Sequence, residues 1–144
     1  MKASRIAKRI LPPIVVDIIK SVRNDVALHR YLRGKRVAWS RGYWIYWKKL
    51  IVQASRDESL LERFRHGDPL PPEYGIGVDE RCIEYPWLLA HLQKGPAALL
   101  DAGSTLNYDF ILDHPVFQSK LIHILTLAPE WDCFWQRGIS YLFH

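Results

Sequence analysis

An acid and a glycine two residues apart, in Asp101-Ala102-Gly103-Ser104, follow the short apolar run Ala97–Leu100, and a second acid, Glu130, follows the apolar run Leu121–Leu127. If these runs are buried strands, the turns beyond their carboxyl ends are where open α/β sheets gather ligands. Glycine at 103 lets a ligand approach the backbone closely. The amides opening the next helix carry partial positive charge suited to a carboxylate or phosphate. A carboxylate beyond the neighbouring strand matches two adjacent hydroxyl donors, which makes Glu130 the first acid available for a ribose. Plainer roles stay open for each: Asp101 caps a turn, Gly103 only permits it, and Glu130 is a solvated surface acid.

Other chemistry is sparse. The six histidines, at 29, 66, 91, 114, 123 and 144, show no HxxxH or HxH spacing, so capping and surface roles are expected and no metal site. His123 falls inside a strand, where a hydrogen-bonded core imidazole is expected. Cys82 and Cys133 form no CxxC pair and are too few for a disulfide scaffold, so reduced thiols in a cytoplasmic protein are the default. No Ser/His/Asp arrangement can be argued, because nothing locates Ser104 near a histidine.

The elements that must position these residues are read from apolar spacing. Lys2–Arg9 is a basic start that could make one helical turn or two. After Pro12-Pro13, the residues Ile14, Val15, Ile18, Ile19 and Val22 repeat at helical spacing, giving a short amphipathic helix from about Pro13 to Arg23. Trp39, Tyr43, Tyr46, Trp47 and Leu50 mark a second helix, and Ser55–Phe64 a third that Gly67-Asp68-Pro69 stops. Pro69, Pro71, Pro72, Gly75 and Gly77 make a stiff connector. Pro86 is expected in the first turn of a helix running to about Gln93 and burying Trp87, Leu88 and Leu92. Then follow strand Ala97–Leu100, a short helix Tyr108–Asp113 capped by Asn107, strand Leu121–Leu127 and strand Ile139–Phe143. Helix, strand, helix, strand, strand is the opening of an α/β sheet.

Charge divides the chain. Residues 1–50 hold 13 Lys/Arg and 2 Asp/Glu, 13 − 2 = +11, while residues 51–144 hold 7 and 13, 7 − 13 = −6. The stripe after Pro13, flanked by Lys8, Arg9, Lys20 and Arg23, either packs on the rest of the fold or lies in an anionic membrane surface. Residues 1–24 are therefore a candidate peripheral contact with the inner membrane surface. No segment has the apolar length to cross a bilayer, and the chain does not read as exported. Arg33, Lys35, Arg36, Arg41, Lys48 and Lys49 alternate with aromatics, as in single-strand nucleic acid binders, but buried rings with solvated cations give the same letters and no recognition motif accompanies them. No specific nucleic acid partner is expected.

Taken together, Arg81, Glu84-Tyr85-Pro86-Trp87, Leu99-Leu100-Asp101-Ala102-Gly103-Ser104, Leu106-Asn107 and Thr126-Leu127-Ala128-Pro129-Glu130 resemble a class I S-adenosylmethionine-dependent methyltransferase, in particular the methyltransferase-like proteins of bacterial polysaccharide and glycosyltransfer gene neighbourhoods. The resemblance covers roughly residues 75–144. It implies S-adenosylmethionine as cofactor, with Asp101, Ala102, Gly103 and Ser104 around its methionine part and Glu130 on its ribose, and a small-molecule or glycan acceptor. Where the family usually reads Gly-x-Gly-x-Gly, the second and third positions here are Thr105 and Asn107.

The expected fold is α/β: a basic, aromatic-rich helical lead-in over residues 1–68, a Pro/Gly-rich connector over 69–82, and over 83–144 the N-terminal half of a Rossmann-like, class I methyltransferase parallel sheet. The chain stops at His144, after the third strand, so it reads as a fragment or truncated relative, and no catalytic residue is assigned. The rival function is a non-enzymatic membrane-surface or partner-binding module with a degenerate half-sheet. A half-sheet leaves an unpaired edge and uncovered apolar surface, so marginal stability and self-association are expected.

Overall fold

The computed structural model describes residues 12–143; the basic segment Lys2–Arg9 and His144 lie outside the described residues. Four helices are followed by a sheet: α1 (Pro13–Arg33), α2 (Arg41–Ala54), α3 (Glu58–His66), α4 (Arg81–His91), β1 (Ala97–Ala102), the single-turn α5 (Asp109–Leu112), β2 (Lys120–Thr126) and β3 (Ser140–Phe143), with 3-10 turns at Pro115–Phe117 and Trp135–Arg137. The chain is mixed α/β, and its three strands form one open, all-parallel sheet in the order β1-β2-β3.

Two compact units result, and they do not follow chain order. Unit 1 is Met1–Ile51 with Pro71–Ile83, and unit 2 is Val52–Leu70 with Glu84–His144. The connector expected over 69–82 thus packs largely within the helical unit, and α3, expected in the lead-in, belongs to the unit that holds the sheet.

In unit 1, Pro13 opens α1 at N1, where its missing N–H costs nothing, and the Pro12 carbonyl accepts from the amides of Val15 and Val16. The helix runs ten residues past the expected Arg23, since nothing between Asn24 and Arg33 breaks it and Arg30 and Arg33 suit its carbonyl end. Ser40 caps α2, its Oγ accepting from the Tyr43 amide. Gly42 lets α2 press on α1: a Cβ there would lie 2.4 Å from the Ala27 carbonyl oxygen and 2.6 Å from the Tyr31 Cβ. Tyr31, Tyr43, Trp47 and Ile51 are buried, with Tyr31 and Tyr43 edge to face at 6.2 Å. Their polar atoms find partners. Asp79 accepts from Tyr43 Oη at 2.9 Å and Trp47 Nε1 at 2.7 Å, and Tyr31 Oη donates to the Gly77 carbonyl. The rings read as part of a cation–aromatic alternation are thus partly core; Trp39 and Trp44 remain exposed.

Helix α4 corrects the expectation that Pro86 opens it. It starts five residues earlier, where Asp79 accepts from the Arg81 amide, and Pro86 sits inside. An interior proline orphans the carbonyl four residues back. That carbonyl is Cys82's, and it accepts instead from Tyr74 Oη at 2.6 Å. The buried face of α4 is Cys82, Tyr85, Leu89 and Ala90, whereas Trp87, expected in the core, is 52% exposed and stacks on His91.

In unit 2, Asp57 caps α3 and Gly67 ends it in the left-handed region at φ 70°. The sheet has unequal faces. Paired positions in a parallel ladder share a face, so Leu99 and Ile122, and Asp101, Ile124 and Tyr141, form the covered side, where Ile122, Ile124 and Tyr141 are buried. The other side pairs Ala98 with Leu121, Leu100 with His123 and Leu125 with Leu142; Leu100, Leu121 and Leu142 are all more than half exposed. His123 therefore lies on the bare face, half-buried, and not in the core as expected.

Candidate functional site

The parallel sheet sets the carboxyl ends of β1 and β2 side by side, so Asp101-Ala102-Gly103-Ser104 and the segment leading to Glu130 meet at one rim. Asp101 is buried as the fifth residue of β1, and its carboxylate folds the loop that follows. Oδ1 accepts from the Thr105 amide at 3.1 Å and Oδ2 from the Leu106 amide at 2.7 Å. The loop is held from other sides as well. Gly103 N–H donates to the Leu125 carbonyl at 2.8 Å, and buried Tyr85 donates its hydroxyl to the Thr105 carbonyl at 2.6 Å.

Such a short turn needs two successive left-handed residues, Gly103 at φ 115° and Ser104 at φ 60°. Glycine adopts this freely; serine does so at a cost the surroundings must impose. Space over Gly103 is open, with nothing within 4 Å of where a Cβ would stand. Ser104 Oγ is buried and has no hydrogen-bond partner among the described residues. A buried hydroxyl without a partner is a rare and costly state.

At the end of β2, Thr126 Oγ1 lies 3.1 Å from both Glu130 Oε1 and the Ala128 carbonyl. Asn107 Nδ2 is 3.5 Å from Glu130 Oε2 and donates to the Asp132 carbonyl at 2.9 Å. Each Glu130 oxygen thus has one protein donor nearby and lone pairs to spare. On the β3 side, Tyr141 Oη donates to Asn107 Oδ1 at 2.7 Å and accepts from the Phe134 amide at 2.9 Å. Burial pushes the Tyr141 hydroxyl above its ordinary pKa, so it remains a donor across the neutral range. Asn107 was expected to cap α5, but Tyr108 occupies the cap position, its side chain making no capping bond to the helix. Asn107 instead links the segment that follows β1 to the segment that follows β2 and to Tyr141 within β3.

The structure therefore brings Asp101, Gly103, Ser104 and Glu130 to one rim, with Ala102 as the last strand residue. Thr126, Asn107, Tyr85 and Tyr141 were not singled out from sequence as site residues. A faint signal existed for Thr126, the polar residue closing an apolar run, and for Tyr85, which shares the Cys82–Leu89 spacing of one helix face.

A second cleft in unit 2, of about 390 Å³, lies toward the amino ends of β1 and β2 and is lined by Leu61, Arg65, Leu89, Lys94, His114 and Ser119 among others. Two of its polar side chains, Arg65 and His114, are engaged. Arg65 Nε donates to the Ala90 carbonyl, and His114 accepts from the Val116 amide while its Nε2 faces the Ser55 carbonyl at 3.1 Å. Burial lowers the His114 pKa, which suits a neutral linking imidazole. The rim, with an orphaned hydroxyl and an acid in reserve, is the stronger candidate.

Among the described residues, no group of three His, Cys, Asp or Glu could hold a metal ion, and no helix is long and apolar enough to cross a membrane. Both cysteines are free thiols. No family model, curated protein or solved structure matches the chain.

Proposed function

We propose that unit 2 is the cofactor-holding half of a Rossmann-like, class I methyltransferase sheet and that its rim binds S-adenosylmethionine. The observation that carries this reading is Ser104, a buried hydroxyl without a partner on a left-handed residue, beside open space over Gly103 and on the same rim as Glu130. Strand order supports it too, because three consecutive parallel neighbours are one side of a doubly wound sheet, from the switch point outward.

In this reading Asp101 shapes the loop and does not itself reach the ligand, because its carboxylate is buried and turned onto the Thr105 and Leu106 amides. Ser104 Oγ gives or accepts one hydrogen bond at the amino-acid end of the ligand. Glu130, steadied by Thr126 and Asn107, accepts from the ribose hydroxyls. When bound, the cofactor supplies an electrophilic methyl group on a sulfonium. No group of this chain is assigned to adenine, to the small-molecule or glycan acceptor, or to the removal of a proton, so the chain alone is expected to bind cofactor without turning it over.

Calorimetric titration of the whole chain with S-adenosylmethionine and S-adenosylhomocysteine tests this. Binding is expected, weakened about tenfold in Glu130→Gln by loss of a charge-assisted acceptor. Absence of heat with both ligands, or equal affinity in Glu130→Gln and in Ser104→Ala, would overturn it.

A further inference from the structure

We propose that the outward face of α1, together with the arginine-lined groove beside it, docks on an anionic lipid bilayer, Ile14, Ile18, Val22 and Val26 entering the interface while Arg23, Arg30 and Arg41 meet phosphodiester headgroups. The proposal rests on unit 1 alone and is independent of the cofactor reading.

Ile14, Ile18, Val22 and Val26 recur every fourth residue, and Ile19 broadens the stripe; all five are between 44% and 69% exposed. A stripe this regular usually faces a core. Here the core side of α1 is the opposite one, where Ala27 and Tyr31 meet Gly42 of α2. From Ile14 to Val26 the stripe runs about 18 Å along the axis, at 1.5 Å per residue.

A groove of about 330 Å³ borders the stripe, lined by Val22, Arg23, Val26, Ala27, Arg30 and Arg41. Three guanidiniums thus converge on aliphatic walls, with no acid in the lining. Arg41 is held over α1 by its Nη2, which donates to Asn24 Oδ1 at 2.7 Å. Of the two acids on α1, Asp17 is paired with Lys20 at 3.0 Å, and Asp25, seven residues after Ile18, lies on the Ile14–Ile18 side of the stripe one residue before Val26. Residues 1–36 hold 10 Lys/Arg against 2 Asp, 10 − 2 = +8.

A guanidinium fork matches a phosphodiester bidentately, and a cationic border with an aliphatic face is the make-up of helices that lie in the plane of an anionic interface. Isoleucine and valine offer no stacking surface for bases, which sets a bilayer ahead of a nucleic acid.

The test is co-sedimentation of the full chain with vesicles of phosphatidylcholine alone and of equal parts phosphatidylcholine and phosphatidylglycerol. The protein is expected to pellet with the mixed vesicles at low salt and to be released as salt rises. Ile18→Asp combined with Val22→Asp should lower partitioning at least about tenfold, with the helical circular dichroism unchanged because both positions face solvent. Arg23→Gln combined with Arg30→Gln should weaken the preference for anionic over neutral vesicles by about tenfold or more. Failure of the parent chain to pellet at low salt overturns the proposal, as does unaltered pelleting of the aspartate variant. Conversion of a dimer to a monomer by that variant, with no lipid binding in either form, assigns the stripe to a second copy. Calorimetric binding of inorganic phosphate without vesicles, with no effect of phosphatidylglycerol, assigns the groove to a soluble anion.

Discussion

The two units solve the placement of a carboxylate in opposite ways. Unit 1 sets Asp79 against side chains, taking Tyr43 Oη, Trp47 Nε1 and the Arg81 amide, so one acid binds an aromatic core to the start of α4. Unit 2 sets Asp101 against backbone, taking the Thr105 and Leu106 amides, so one acid fixes a loop. Charge separates the units as well: unit 1 holds 14 Lys/Arg and 5 Asp/Glu, 14 − 5 = +9, and unit 2 holds 6 and 10, 6 − 10 = −4. Each also leaves apolar surface bare, unit 1 on a helix bordered by arginines and unit 2 on a sheet face. The contrast suggests that the acid of unit 1 serves stability and that of unit 2 serves the shape of a site.

The largest effect is expected inside unit 2. Ile124 is fully buried at the centre of β2, and Ile124→Ala should cost about 2–5 kcal/mol by transfer and cavity terms. Hydrogen exchange at the amides of β1 and β2 is the measurement that localises it. If those amides keep their protection, the covered face is not the core of this unit.

Next comes Asp79→Ala, which strands a buried phenol and a buried indole and should cost unit 1 about 2–4 kcal/mol. Burial pushes the Tyr43 hydroxyl up to about 12, with Asp79 adding to the rise. A raised folded pKa means the folded unit holds this proton more tightly than the unfolded chain. The contribution is therefore complete below pH 10 and is lost as pH climbs through about 12. In Asp79→Ala the phenolate absorbance should appear at lower pH than in the parent, retaining only the share due to burial. An unchanged titration would separate Tyr43 from Asp79.

Asp101→Ala should cost less, about 1–3 kcal/mol, because of the two amides it frees only that of Leu106 is fully buried, that of Thr105 being part-buried. Its signature is local: faster exchange at Thr105 and Leu106 while β2 stays protected, and, if the proposed reading of the rim holds, a fall in S-adenosylmethionine affinity through disorder of Ser104 and not through a lost ligand contact. Asp101→Asn retains an acceptor for one amide and should recover part of both effects. Loss of stability throughout unit 2 would instead make Asp101 a core residue like Asp79.

Much of this was legible. Strand positions, the all-parallel sheet expected from the α/β order and the rim that joins Asp101 to Glu130 follow from apolar runs punctuated by Gly and Pro, because buried parallel strands leave so plain a trace. The longer course of α1 was missed because its second half carries His29, Arg30 and Arg33 among its apolar residues, which blurs periodicity without breaking a helix. Pro86 misled for a definite reason: proline is read as a helix start, and the partner that makes an interior proline tolerable, Tyr74, lies twelve residues upstream. Asn107 looked like a cap because its neighbours begin a helix, yet its bonds run to Asp132 and Tyr141, which no local pattern encodes. The association of α3 with the sheet and of residues 71–83 with the helices is likewise tertiary.

The smallest expected effect bears on the bare sheet face. Leu100 is 62% exposed and faces the side of the sheet that carries Leu121 and Leu142, so Leu100→Lys removes little buried area and should leave the unfolding free energy within about 0.5 kcal/mol. Its consequence belongs to association. An apolar patch of three leucines beside the outer edges of β1 and β3, which carry no further strand among the described residues, invites contact between copies, and a lysine there opposes it by charge and by desolvation. Size-exclusion chromatography across a range of concentrations should show the parent chain self-associating and Leu100→Lys shifted toward monomer at equal thermal stability. The paired control is Ile18→Asp, which alters the bare surface of unit 1: if it shifts the equilibrium and Leu100→Lys does not, association runs through the helix. A parent chain that stays monomeric at every concentration means that neither bare surface is sticky enough to hold a second copy.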